Sequence, residues 1–79
     1  MPTKKRDHSI EINRIRVVLA EKKVAQKELA TKVGITPQSV TRMCNNKTQP
    51  SLHLLREIAL ALDVDITDLL IHTKRKSNS

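Results

Sequence analysis

Gly34 is the only glycine in the chain, and it stands between two short segments with apolar residues at helical spacing. Before it, Gln26 to Val33 brings Leu29, Ala30 and Val33 to one side of a helix turning ~100° per residue. A glycine just past a helix end takes the left-handed conformation that closes the last turn, so the first segment is expected to stop there. Thr36 is a good N-cap and Pro37 fits the first helical position, so a second helix starts almost at once. A three-residue turn containing glycine forces a steep crossing. Ala30 is small where the backbones come close, and Val33, Ile35, Val40 and Met43 supply the apolar contacts between the pair. A helix-turn-helix is therefore expected within Gln26 to Asn45.

The rest of the chain reads as helices too. The first is expected from about Ser9 or Ile10 to Lys23, with Ile12, Ile15 and Leu19 in one stripe, Val18 beside them, and Lys22 and Lys23 at the end that favours positive charge. The helix after the turn runs from Thr36 to about Asn45, and Asn46 supplies a left-handed stop. Pro50-Ser51 opens a fourth helix, with Ser51 as cap and Leu52, Leu55, Ile58, Ala59 and Leu62 as its buried stripe. Asp65 caps a short fifth helix with Ile66, Leu69 and Leu70 inward. Nowhere does apolar and polar alternation persist alongside β-branched enrichment, so no strand is expected. The fold class is all-α, a compact five-helix domain.

Composition removes several alternatives. Leu, Ile and Val make up 22 of 79 residues, enough for a thin core. No apolar run approaches the ~18–20 residues of a membrane span, and the N-terminus lacks a signal peptide's apolar stretch. Cys44 is alone, so no intramolecular disulfide forms and a reducing cytoplasm is the expected location. Aromatic residues are 0%, which argues against binding single strands by base stacking. The net charge is +7, of which residues 1–9 carry +2 and residues 72–79 carry +3. The expected organisation is two flexible basic tails, 1–9 and 72–79, around a nearly balanced domain at 10–71. Such tails suit a polyanion, of which nucleic acid is the commonest.

Helical rotation sorts the segment after the turn into two faces. With Val40 at zero, Met43 and Cys44 fall within about 60° of it, whereas Gln38, Arg42 and Asn45 lie between roughly 140° and 200°, with Thr41 at the edge of that face. Gln, Arg and Asn are the residue types that bond bidentately to base edges, and a helix this short suits a major groove.

The stretch from Gln26-Lys-Glu-Leu-Ala through Val-Gly-Ile-Thr-Pro-Gln-Ser-Val to Cys-Asn-Asn-Lys47 resembles the XRE family of Cro- and phage-repressor-type helix-turn-helix proteins. Pro50-Ser-Leu-His-Leu-Leu-Arg-Glu-Ile-Ala-Leu-Ala-Leu-Asp-Val64 is similar to the same domain's fourth helix and exit. The resemblance implies a lambda-repressor-like domain that binds double-stranded operator DNA, usually as a homodimer on an inverted repeat. By position, Gln26 resembles the family's phosphate-clamping glutamine. Pro37, Gln38, Thr41 and Arg42 occupy its base-reading face, and Ser39, Asn45, Asn46, Lys47 and Thr48 match positions that touch backbone phosphates. The family also makes Ile66, Leu69, Leu70 and Ile71 the expected dimer contact. Three departures stand out: Ala25 where Ser or Thr often caps, Asn46 and Asp63 where glycine is common, and Pro37 where relatives often carry a base-reading side chain.

Other constellations are not built. Cys44 lies on the inward side of its helix and reads as a packed thiol. His8, His53 and His72 are dispersed without metal-ligand spacing. No phosphate-cradling glycine loop or catalytic set is present, so no enzyme activity, cofactor, metal or small-molecule ligand is expected. The expected function is transcriptional regulation, as repressor or autoregulator, with control through concentration or a partner. The alternative is an antitoxin-type or other partner-binding helical module, for which Val17, Leu54 and Leu60 offer apolar side chains off the main stripes.

Overall fold

Among the described residues the backbone turns left-handed four times, and each time the next N–H reaches back five residues. Lys23 (φ 58), Gly34 (φ 74), Asn46 (φ 57) and Asp63 (φ 58) are the left-handed residues. The closing bonds run from Val24 to the Leu19 carbonyl (3.0 Å), Ile35 to Ala30 (3.0 Å), Lys47 to Arg42 (2.9 Å) and Val64 to Ala59 (3.0 Å). These closures satisfy carbonyls that a helix end otherwise leaves open. Three are followed by an apolar residue, Val24, Ile35 or Val64, that folds back onto the core. The fourth is followed by Lys47, which is exposed.

The computed structural model describes residues 10–73. Its elements are α1 (Ile15–Lys22), α2 (Gln26–Val33), α3 (Pro37–Cys44), α4 (Leu52–Leu62) and a 3-10 turn at Ile66–Leu69. The basic clusters Lys4-Lys5-Arg6 and Lys74-Arg75-Lys76 lie outside the described residues. α2 packs against both α3 and α4, α4 against the 3-10 turn, and α1 against α3 and the 3-10 turn. Ile15, Leu29, Val40, Ile58 and Leu69 are fully buried where these elements meet.

The all-helical class holds, with differences in detail. α2 has the expected bounds, and α3 starts at Pro37 with Thr36 as its cap. Ser51 caps α4, its hydroxyl oxygen accepting the Leu54 N–H at 3.0 Å. The fifth element is one 3-10 turn rather than an α-helix. Asp65 and Asp68 close it reciprocally in a capping box.

α1 is shorter than expected because residues 10–14 are not helical and pair with the segment after the 3-10 turn instead. Ile71 donates its N–H to the Ile12 carbonyl and Arg14 donates to Leu69, both at 2.8 Å, and Asn13 and Leu70 form an isolated antiparallel bridge. Asn13 Oδ1 then accepts the Ile15 N–H at 3.0 Å and starts the helix. Ile12 is therefore outside the helix and 51% exposed rather than part of its stripe. Leu52, expected inward, is 80% exposed, whereas Leu55 in the same first turn of α4 is buried.

Candidate nucleic-acid interface

The turn between α2 and α3 is built from local chemistry. Gly34 sits at φ +74 with nothing within 4 Å of where a Cβ would be, so it is required for its backbone conformation and not for space. Thr36 has extended backbone, and its Oγ1 accepts the Ser39 N–H at 3.1 Å. The same hydroxyl donates to Ser39 Oγ at 3.0 Å. Ser39 is thus tied into the helix start.

α3 divides as the rotation predicts. Val40, Met43 and Cys44 are buried, and Pro37, Gln38, Ser39, Thr41, Arg42 and Asn45 are exposed. Thr36, Gln38, Ser39, Thr41 and Arg42 line a shallow, open concavity. It offers donors and acceptors together, as base-edge recognition needs. Burial pushes the Cys44 thiol above its ordinary range, with the Arg16 charge opposing the shift, so a packed neutral thiol is the state of this residue.

Gln26 opens α2 beside this face. Ala25 gives no side-chain cap, which leaves the first-turn N–H groups of α2 open to an external acceptor. Thr41 Oγ1 donates to Gln26 Oε1 at 2.7 Å, and also lies 3.1 Å from the Pro37 carbonyl. This bond joins the two helices across the turn; sequence spacing alone gives no signal of it.

Asn45, Lys47 and Thr48 are exposed at the far end of α3, but Asn46 is not. Expected among the phosphate contacts, Asn46 is 6% exposed with its side chain turned inward. Its Oδ1 accepts the N–H groups of Ile12 (2.8 Å) and Asn13 (3.0 Å) and the Gln49 amide (2.9 Å). Asn13 Nδ2 donates to the Met43 carbonyl at 2.9 Å and to Gln49 Oε1 at 2.7 Å. Every polar atom of the Asn46 amide is used, so the residue sets the exit of α3 and leaves any phosphate contact to its neighbours. Asn13 and Gln49 belong to this support and were not foreseen; the one hint was an asparagine where glycine is common.

The expected dimer contact also divides. Leu69 is fully buried in the chain's own core and cannot meet a second copy. Ile66 and Leu70 are half-buried, and Ile71 is 38% exposed. Val17 and Leu60 are exposed, whereas Leu54 packs partly against the core. Among the described residues no three His, Cys, Asp or Glu side chains cluster to hold a metal ion, and no helix is long and apolar enough to cross a membrane.

This architecture recurs in solved structures. A candidate DNA-binding protein from Bacteroides fragilis is 43% identical, with a TM-score of 0.75 over 76% of this chain and 97% of its own. The clp gene regulator ClgR of Corynebacterium glutamicum is 25% identical, with a TM-score of 0.66 over 70% of this chain and 71% of its own. The SOS-response transcriptional repressor LexA of Eubacterium rectale shares the fold at 20% identity, with a TM-score of 0.68 over 84% of this chain and 70% of its own. No curated protein matches the chain. The Cro/C1-type HTH DNA-binding domain matches residues 14–75, from the residue before α1 to beyond the 3-10 turn, and the chain belongs to that family.

Proposed function

We propose that this chain is a sequence-specific double-stranded DNA-binding transcriptional regulator, a repressor or autoregulator acting on the nucleoid, that reads the major groove with α3. The observation that carries this is the exposed row of Gln38, Thr41 and Arg42 opposite buried Val40, Met43 and Cys44. In this reading Arg42 and Gln38 bond base edges, with Pro37 and Thr41 at the rim. Gln26, Ser39, Asn45, Lys47 and Thr48 hold phosphates on either side, fixing register without reading sequence. The likeness to ClgR, a gene regulator, supports this reading.

Ile66, Leu70 and Ile71, with exposed Ile12 paired to Ile71 through its backbone, are the proposed homodimer contact. A dimer would place two copies of α3 on an inverted repeat. Sedimentation at increasing concentration, with and without DNA, tests this; monomer throughout would refute it. A second reading, an antitoxin that holds a small protein partner, draws on exposed Val17 and Leu60.

The deciding experiment is selection from a random duplex library at about 0.15 M salt, where binding by phosphate contacts alone is largely suppressed. An enriched inverted repeat, blurred in Arg42→Ala, is expected. A folded protein that enriches nothing would refute the reading and turn attention to the partner.

A further inference from the structure

We infer that Thr41 is a positioning residue: its hydroxyl latches the Gln26 amide across the turn, so that Gln26 meets DNA already oriented. The inference rests on the DNA-binding reading above and deepens it. The Thr41 hydroxyl has one hydrogen and two acceptors in reach, Gln26 Oε1 at 2.7 Å and the Pro37 carbonyl at 3.1 Å. The shorter contact takes the hydrogen, at the usual length for a hydroxyl donor. Gln26 Oε1 is then occupied from α3, and the Nε2 group, which makes no hydrogen bond among the described residues, is left as the donor end. A phosphate oxygen needs a donor, so the latch selects the useful orientation of a side chain that is otherwise free to flip and rotate. Ala25 makes no side-chain cap, so the first N–H groups of α2, next to Gln26 in sequence, remain available as further donors.

The latch also restricts what Thr41 can do to a base. With its hydrogen committed to Gln26, the oxygen can only accept, from adenine N6 or cytosine N4, and the methyl can only pack against thymine. Pro37, at the start of α3, has no polar side chain with which to hold Gln26. Thr41, one turn further on, holds it instead.

Thr41→Val keeps the shape and the methyl but removes the latch. The expected result is about three- to tenfold weaker binding, the size of one ordinary hydrogen bond. The loss should fall on preferred and unrelated duplexes alike, apart from at most one base pair at which the Thr41 oxygen itself meets a base. The slope of affinity against salt should not change, because Gln26 is uncharged and releases no counterion. Thr41→Ser retains the hydroxyl and should bind nearly as well as the parent, changing preference at no more than one base pair. In a double-mutant cycle on an unrelated duplex, where Thr41 reads no base, Thr41→Val added to Gln26→Ala should cost nothing further. Circular dichroism and melting of each variant establish that it is folded, as expected for two sites on the surface.

Thr41→Val binding as tightly as the parent, or losses that add independently of Gln26→Ala, would overturn the latch while leaving the regulator reading standing. A parent protein that binds no duplex would overturn both.

Discussion

The Asn46 side chain holds the Asn13 backbone from both ends, its Oδ1 accepting the Asn13 N–H at 3.0 Å and its Nδ2 donating to the Asn13 carbonyl at 3.1 Å. One amide thereby takes the part of a neighbouring strand, 33 residues away in sequence. It fastens the segment before α1 to the end of α3. The left-handed backbone at Asn46 (φ 57) aims the side chain inward, so the strain and the hydrogen bonds come as a pair.

Asn46→Gly separates the two. Glycine relieves about 1 kcal/mol of left-handed strain. It also strands the Ile12 and Asn13 N–H groups, at about 1–3 kcal/mol each when buried. A net loss of about 2 kcal/mol is expected, seen as a melting temperature roughly 8–16 °C lower. A variant as stable as the parent would show that the network contributes nothing.

Gly34 and Asp63 share a backbone conformation but differ in side chain. Gly34→Ala should cost about 1 kcal/mol, all of it conformational, since no atom lies within 4 Å of the new Cβ. Asp63→Gly should gain about 0.5 kcal/mol, because strain relief slightly exceeds the entropy that glycine loses on folding. Chemical denaturation resolves both. Changes of equal sign would contradict the assignment.

On the proposed interface, Arg42→Ala is expected to cost about 1–3 kcal/mol on the preferred site and relax selection at one base pair. Lys47→Ala should weaken all duplexes alike and reduce the salt slope by about 1. Competition binding at several salt concentrations separates the two. An unchanged preference in Arg42→Ala would mean that another face of α3 reads the bases.

The raised Cys44 thiol gives stability an alkaline limb. Below its ordinary value of 9.0 the thiol is neutral in both folded and unfolded chains, so it adds no pH dependence. Above that, the unfolded chain releases the proton and the folded chain holds it, so stability falls by at most ~1.4 kcal/mol per pH unit. Cys44→Ala loses packing but also this limb. Its stability deficit relative to the parent, measured by denaturation at pH 7 and pH 10, should shrink at pH 10. A constant deficit would refute burial as the cause.

Leu69→Ala should cost about 2–5 kcal/mol and lower the melting temperature steeply, whereas Leu52→Ser should fall within about 0.5 kcal/mol of the parent. Both leucines occupy stripe positions in sequence. Calorimetry on both variants checks that only Leu69, fully buried against Leu52 at 80% exposed, is part of the core.

These two leucines show where sequence stops being informative. Periodicity ranks which residues of a helix share a face, but not how far the neighbouring elements extend along it. Leu52 has the right phase and no cover. Ile12 likewise keeps the phase of Ile15 and Leu19, yet its segment pairs with Ile71 and cannot be helical.

The turn and the helices beside it were legible in sequence alone. Gly34, Thr36 and Pro37 act within a few residues of themselves, through backbone sterics and capping, so α2 and α3 end and begin where those residues put them. The outward face of α3 followed from the same local geometry. Tertiary structure alone decided the start of α1, the inward turn of Asn46 and the Thr41–Gln26 bond. Each depends on partners that local pattern cannot bring together, because a hydrogen bond over 15 or 33 residues exists only once the core has fixed both ends.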